Sequence, residues 1–408
     1  MSMTSDPHAR TASKVSSSVA RPAAESAERP RPLSRRRKAR RLGPAAVVAA
    51  VVVAGLAVSL ARLGGGDAQE GPASVPDVTS VAAHPDQSPP RELIAAGRIA
   101  VSAYSTMKLV RLPNGNAIGT YEWRLLDTAT ERYEETDWAW LDVAPGVRTA
   151  AVLERDLPVD RIGLLNLATG KVRRWIKVDR SVGGVQFSPD GKRLLATAYR
   201  LNPDGLFKDA SYRLNGKSVP GPKRSRTGFY VIDVASGKAD FAEIPTEKNT
   251  EGIPGGGRQD FHWSSDGKLV WEPGDNKAGK IYYGVTGKRT PAPDAETRLP
   301  FPGSVLSPDG NLATGAFVGE GDEIVSEVRN AKTGKRAAVI PGQQLLAWAD
   351  NSHLIAWRCA PERCSPAKGE FRNQLLLVGL DGKVTPLSGF RPASLNDEDR
   401  WFPVLTRR

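Results

Sequence analysis

Few residues in this 408-residue chain could do chemistry, and their spacing decides which kind. The four histidines, His8, His84, His262 and His353, stand far apart, so no zinc site assembles from them by spacing. The two cysteines close the short segment "CAPERC", Cys359 to Cys364. In an oxidising exterior that spacing favours a local disulfide, because a redox switch or metal clip needs further ligands nearby. No G-x-S-x-G elbow and no phosphate-cradling glycine loop occurs, and the glycine-rich "IPGGGRQD" opens no helix. Neither catalytic residues nor a cofactor or metal ion is expected.

Two sets of residues are candidates for recognition instead. Asp137, Trp138, Gln186, Gln259, Asp260, His262, Gln343 and Gln344 fall where a series of short strands begins, a register that gathers them at the mouth of a central channel. Polar groups there bind a ligand or merely hydrate the channel. The second set lies in Arg200 to Gly228, where Phe207, Lys208, Tyr212, Arg213, Lys217, Lys223, Arg224 and Arg226 form a basic, aromatic-bearing insertion for a partner. The competing reading is a solvated excursion; on either reading, removing Asn202 to Arg226 is expected to leave the domain folded, with any binding by the insertion lost.

The elements that must position these residues repeat. "FSPDGKRLLATAY", Phe187 to Tyr199, recurs as "FHWSSDGKLVWE", "SVLSPDGNLATGAF", "LLAWADNSHLIAW" and "WAWLDVAPGVRTAAV". Each is a turn between antiparallel strands, with an oxygen-bearing residue first, Pro second, Asp third and Gly last in the clearest copies. A second element, a strand, a turn ending in Gly and a return strand, alternates with the first. Its glycines, Gly170, Gly237, Gly287, Gly334 and Gly382, lie 67, 50, 47 and 48 residues apart, and Glu131 holds the equivalent place in a sixth copy. Periods near forty-five with four strands each are the signature of a β-propeller, and the long spacing marks the insertion. Six second halves against five first halves leave one blade to be completed by "GRIAVSAYSTMKLV" and the distant "WFPVLT".

The quoted repeats resemble the SPDG-type, WD-like propeller repeat of the TolB C-terminal domain and of prolyl oligopeptidase-like enzymes. That resemblance covers roughly residues 91 to 408 and implies an all-β, six-bladed propeller acting as an envelope interaction platform. No segment is left for the peptidase half, and no α/β domain precedes the repeats. An alternative role is a propeller enzyme of lactonase or sugar-hydrolase type using the channel mouth.

Charge is unevenly placed. Residues 1 to 41 hold eleven Lys/Arg against three acidic residues, whereas from Leu63 onward 45 basic residues face 42 acidic ones. The repeats therefore lack a global basic field, which argues against nucleic acid as a partner. Leu42 to Ala61 carry no charge for twenty residues, enough for roughly 30 Å of hydrocarbon. With "RRRKARR" at one end, the expected order is a disordered cytoplasmic tail (1–41), a single transmembrane helix (42–62), a flexible linker (63–90) and an extracytoplasmic propeller (91–408) at the cell membrane. A cleaved export signal is the competing reading of the apolar run. The expected partner is an envelope protein or ligand; the sequence does not set the oligomeric state.

Overall fold

The computed structural model describes residues 80–214, 216–244, 258–274, 279–294, 296–297, 299, 303–320, 323–359, 371–393 and 400–408. The expected tail and membrane span lie outside these residues. Among the described residues no helix is long and apolar enough to cross a membrane.

The turns behave as their chemistry dictates. In the three clearest copies the first serine carbonyl accepts the glycine N–H at 2.8 Å, and its Oγ accepts an N–H from the returning strand at 2.9–3.0 Å. Gly191, Gly267 and Gly310 close these turns at φ of +71, +68 and +71°. That left-handed region suits glycine because it has no Cβ to clash. In the second repeated element Glu131 adopts the same left-handed conformation at φ +56°, in the place where the other copies carry Gly170, Gly237, Gly287, Gly334 and Gly382.

The strands form five antiparallel sheets. The first has eight strands and is built on the long hairpin Ile99–Arg111 and Ala117–Asp127, whose lower half pairs with Arg132–Thr136. The strand Trp401–Arg407 runs along the other side of Ile99–Arg111, from Trp401 opposite Thr106 to Arg407 opposite Ile99. The chain is thus clasped by its own last described strand. Trp401 is 2% exposed and packs edge-on against Tyr104 and Trp357, with centroids at 5.5 and 4.9 Å. Ser102 and Thr406 hydroxyls meet across the join at 2.6 Å.

In the second sheet a single strand, Lys171–Phe187, serves two four-strand units. Its first half pairs with Val159–Asn166 and its second with Arg193–Tyr199, either side of a register shift near Asp179. Tyr230 pins that bend, its hydroxyl on Asp179 and accepting the Arg180 N–H. Sequence patterning treats these halves as separate strands because each belongs to a different repeat, yet no turn interrupts the strand between them. The remaining sheets run His262–Trp263 to Arg289–Thr290, Leu312–Phe317 to Arg336–Pro341, and Gln344–Trp348 to Arg391–Ala393. Separate apolar clusters glue successive units, with Ile162, Leu194 and Ile232 fully buried in one and Leu354 and Ile340 in another. Each such side chain contributes about 1.5–3 kcal/mol by area.

Two expectations change. Residues 80–90, assigned by composition to the linker, belong to the domain: Val81–Ala82 pairs with Ala95–Ala96, and Ser88 Oγ accepts the Trp401 indole N–H at 3.1 Å. A Pro/Ala-rich stretch still becomes ordered when a packed surface receives it. The insertion is a β-hairpin, Gly205–Leu214 and Lys217–Pro222, whose stem adds to the upper half of Ala117–Asp127. The expected Cys359–Cys364 pair falls on Cys364, outside the described residues.

Candidate functional site

Inner segments of successive units converge on an axial cavity of about 440 Å³. Asp142, Gln186, Trp263, Leu346 and Thr406 contribute to its wall, so segments from distant parts of the chain share it. Asp142 comes from Trp140–Val143, where alternation turns every second side chain toward the axis. Burial pushes its carboxyl up to about 6, although the N–H groups of Phe187, at 2.7 Å, and Val143 pull the other way. The Gln186 side-chain oxygen accepts the Trp263 N–H at 3.0 Å, spending that predicted residue on joining two sheets.

At the opposite end of the inner strands a charged cluster closes around Arg258. Its guanidinium donates to both oxygens of Asp204, at 2.8 and 2.5 Å, to Asp260 Oδ2 at 3.0 Å and to the Gly183 carbonyl at 2.6 Å. It also lies 3.6 Å above the Trp140 ring. Burial alone would lower the Arg258 pKa, but Asp260 and Asp204 hold it above its ordinary value. Tyr199 donates to Asp260 Oδ1 at 2.8 Å, and burial followed by the Asp260 charge raises its phenol well above the usual range. Gly184 makes room for this carboxylate: a Cβ there would sit 2.3 Å from Asp260 Oδ1. Each charge faces its complement, so the cluster is a clamp between the insertion stem and the mouth.

A second buried pair, Arg226 with Glu272, lies beside it, with Arg226 stacked 4.0 Å over Phe261. His262 leans on Trp271 at 4.7 Å; burial lowers its pKa, helped by Lys280 and Arg226 against the pull of Asp260. Among the described residues, no group of three or more His, Cys, Asp or Glu side chains is placed to hold a metal ion.

The structure therefore keeps Gln259, Asp260 and His262 together, with Gln186 bonded to the neighbouring Trp263, and places Asp137, Trp138, Gln343 and Gln344 elsewhere. Asp137 and Trp138 line a groove between the first two sheets, and Trp138 packs on Trp175 at 6.2 Å. Gln343 and Gln344 are exposed. The inner strand begins at the mouth, but its alternate side chains turn into the sheets' contacts instead of the axis.

Of the insertion residues, Arg226 is 6% exposed and belongs to the buried pair, not to a binding surface. The span Asn202 to Arg226 is thus no dispensable excursion, since it holds both Asp204 and Arg226. The remaining residues do form a surface. Lys208, Arg213, Lys217 and Arg224 are exposed, Tyr212 and Phe207 are half-buried, and Lys223 pairs with Asp209 at 2.5 Å while lying over the Phe207 ring. Lys208 N–H bonds to Asn116 Oδ1 at 3.0 Å, tying the insertion to the tip of the long hairpin. Together they make a platform at the end of the first sheet. Sequence spacing missed Arg258, Asp204, Tyr199 and Asp142; the only sequence sign was Asp204 in the Asn-Pro-Asp-Gly turn that starts the insertion.

These features define an all-β domain of antiparallel sheets with a charged clamp, a shared cavity and a projecting platform. No protein-family model matches the chain, and no curated protein does. Among solved structures the chain is similar to the crystal structure of TolB from Acinetobacter baumannii, at 17% identity and a TM-score of 0.37, over 71% of this chain. It spans 65% of the length of that protein.

Proposed function

We propose that this protein is a non-catalytic interaction module: a six-bladed propeller anchored in the cell membrane, N-terminus inside, whose platform docks an acidic, apolar-bearing protein of the cell envelope. The observation that carries this reading is the clustering of exposed apolar side chains. Five of the ten large hydrophobics exposed among the described residues, Met107, Leu109, Val110, Leu201 and Leu214, lie on the platform or its stem, at 37 to 51% exposure. Exposed apolar groups gathered beside cations mark a recognition surface, whereas scattered ones would not. Arg111, Arg213 and Lys217 stand among them and make no ion pair among the described residues.

The platform lies at the end of the 13-residue strand Ile99–Arg111 remote from Gly97, roughly 40 Å away.

A photo-crosslinking amino acid at Leu214 in the full chain tests the reading in cells. Adducts to an envelope protein, lost when Arg213 and Lys217 are changed to Glu, are expected. Adducts that persist through that reversal, or that form equally from Lys288 on another sheet, refute it. Protease added to intact cells should cut the propeller and spare residues 1–41; the reverse pattern would overturn the orientation.

A further inference from the structure

The groove that holds Asp137 and Trp138 is a separate feature, far from what the platform reading uses. It has a volume of about 790 Å³ and lies between the outer strand Arg132–Thr136 of the first sheet and the turn of the second sheet that ends at Gly170. Leu125, Leu126, Leu165, Leu167 and Trp138 contribute its apolar lining. Asp127, Glu134, Glu135, Asp137 and Glu154 also line it, against the single cation Arg155. With Arg124 and Arg161 bonded to two of these carboxylates, a local excess of two negative charges remains, in a domain whose residues from Leu63 onward carry a net of +3.

Two of these carboxylates are engaged, Glu135 with Arg124 at 3.2 Å and Glu154 with Arg161 at 2.6 Å. Glu134 and Asp137 make no ion pair among the described residues.

The strand itself offers backbone. Arg132–Thr136 pairs on one side with Ala117–Asp127, and on the other the Tyr133 N–H reaches the Arg91 carbonyl and Glu92 bridges Arg132. Past Tyr133, the outer edge of Glu134 to Thr136 has no strand partner among the described residues. An open edge beside an apolar lining is the arrangement that receives an added strand, with backbone bonds giving affinity and side-chain pockets giving selectivity.

We propose that this groove binds an extended basic peptide, whose backbone lies along Glu134–Thr136, whose apolar side chain rests near Trp138, and whose flanking Lys or Arg side chains meet Glu134 and Asp137. A small amine would satisfy the charge but would leave the strand edge and the apolar lining unused.

The test uses the full chain in a neutral detergent and fluorescein-labelled Lys-Leu-Lys-Leu-Lys-Leu-Lys as the probe, read by fluorescence anisotropy. Binding is expected to weaken with salt and to fall at least tenfold in the double variant Glu134→Lys, Asp137→Lys. It should be unaffected by Leu109→Ser with Arg213→Glu, so a failed platform reading leaves this result intact. Amide hydrogen exchange should slow at Glu135, whose N–H, two residues on from that of Tyr133, faces the open edge, when the peptide is added, a readout that does not depend on the variant folding. Equal binding by the double variant, loss of binding with the platform substitutions, or unchanged exchange at Glu135 overturns the proposal. Spermine competing as strongly as the peptide assigns the groove to small cations and overturns it too.

Discussion

Replacing Trp401 by Ala tests the clasp most directly. The indole is 2% exposed, touches Tyr104 and Trp357 edge-on, and donates to Ser88. Its removal opens a cavity at the meeting of three segments far apart in sequence, where backbone held by seven cross-strand partners cannot easily collapse. Such a substitution costs about 3–5 kcal/mol, against a typical domain stability of about 5–15 kcal/mol. The folded-to-unfolded ratio should fall by more than a hundredfold. Phe402, the next residue, is 44% exposed, and Phe402→Ala should stay within about 0.5 kcal/mol of the parent. Urea unfolding of the full chain in detergent, followed by near-ultraviolet circular dichroism, measures both. A Trp401→Ala midpoint corresponding to less than about 1 kcal/mol, or an equal loss in Phe402→Ala, would mean that the join bears little of the stability and that the reasoning from burial is wrong.

Three further outcomes follow from particular side chains. Arg258→Ala leaves Asp204 and Asp260, 8 and 14% exposed, without their cation and should cost roughly 3–5 kcal/mol in the same assay, with part recovered when both carboxylates are also neutralised. Asp142 has its folded-state pKa raised from 3.8 to about 6, so the folded protein binds more protons than the unfolded chain between those values. Stability is therefore greatest below pH 4 with respect to this group and is lost as pH rises through 6. Asp142→Asn should be the more stable form at pH 7, by about 1 kcal/mol after allowing for water in the cavity, with the gap closing near pH 4. Glu131→Gly relieves a left-handed residue and should stabilise by up to about 1 kcal/mol, detectable as a higher thermal midpoint.

The repeats were readable because a tight turn imposes its chemistry locally: Ser188, Asp190 and Gly191 act within four residues of one another. The clasp was readable for a different reason, since an unpaired half-unit at one end and a spare apolar strand at the other leave one way to satisfy both. The clamp was not. Arg258 and Asp204 are 54 positions apart and meet only because the insertion stem joins Ala117–Asp127, a pairing of two residue pairs that no periodicity announces. The mouth residues were half-legible: register located the ends of the strands, but which side chains faced the axis depended on bulges such as the one between Leu345 and Ala347.

The pairing of Trp401–Arg407 with Ile99–Arg111 also sets a timetable. Ser102 and Val404, which share a hydrogen bond across the join, are 302 positions apart. A ribosome adding roughly 5–20 residues each second takes about 15–60 s to deliver the second after the first. For that interval Ile99–Thr106 presents a bare strand edge beside Tyr104, with nothing else among the described strands pairing it there, and the nascent chain must be shielded or held apart from its copies. Ribosomes stalled anywhere in the last few strands would release a product with that edge still open, so the same pairing that completes the fold makes unfinished chains recognisable by their stickiness.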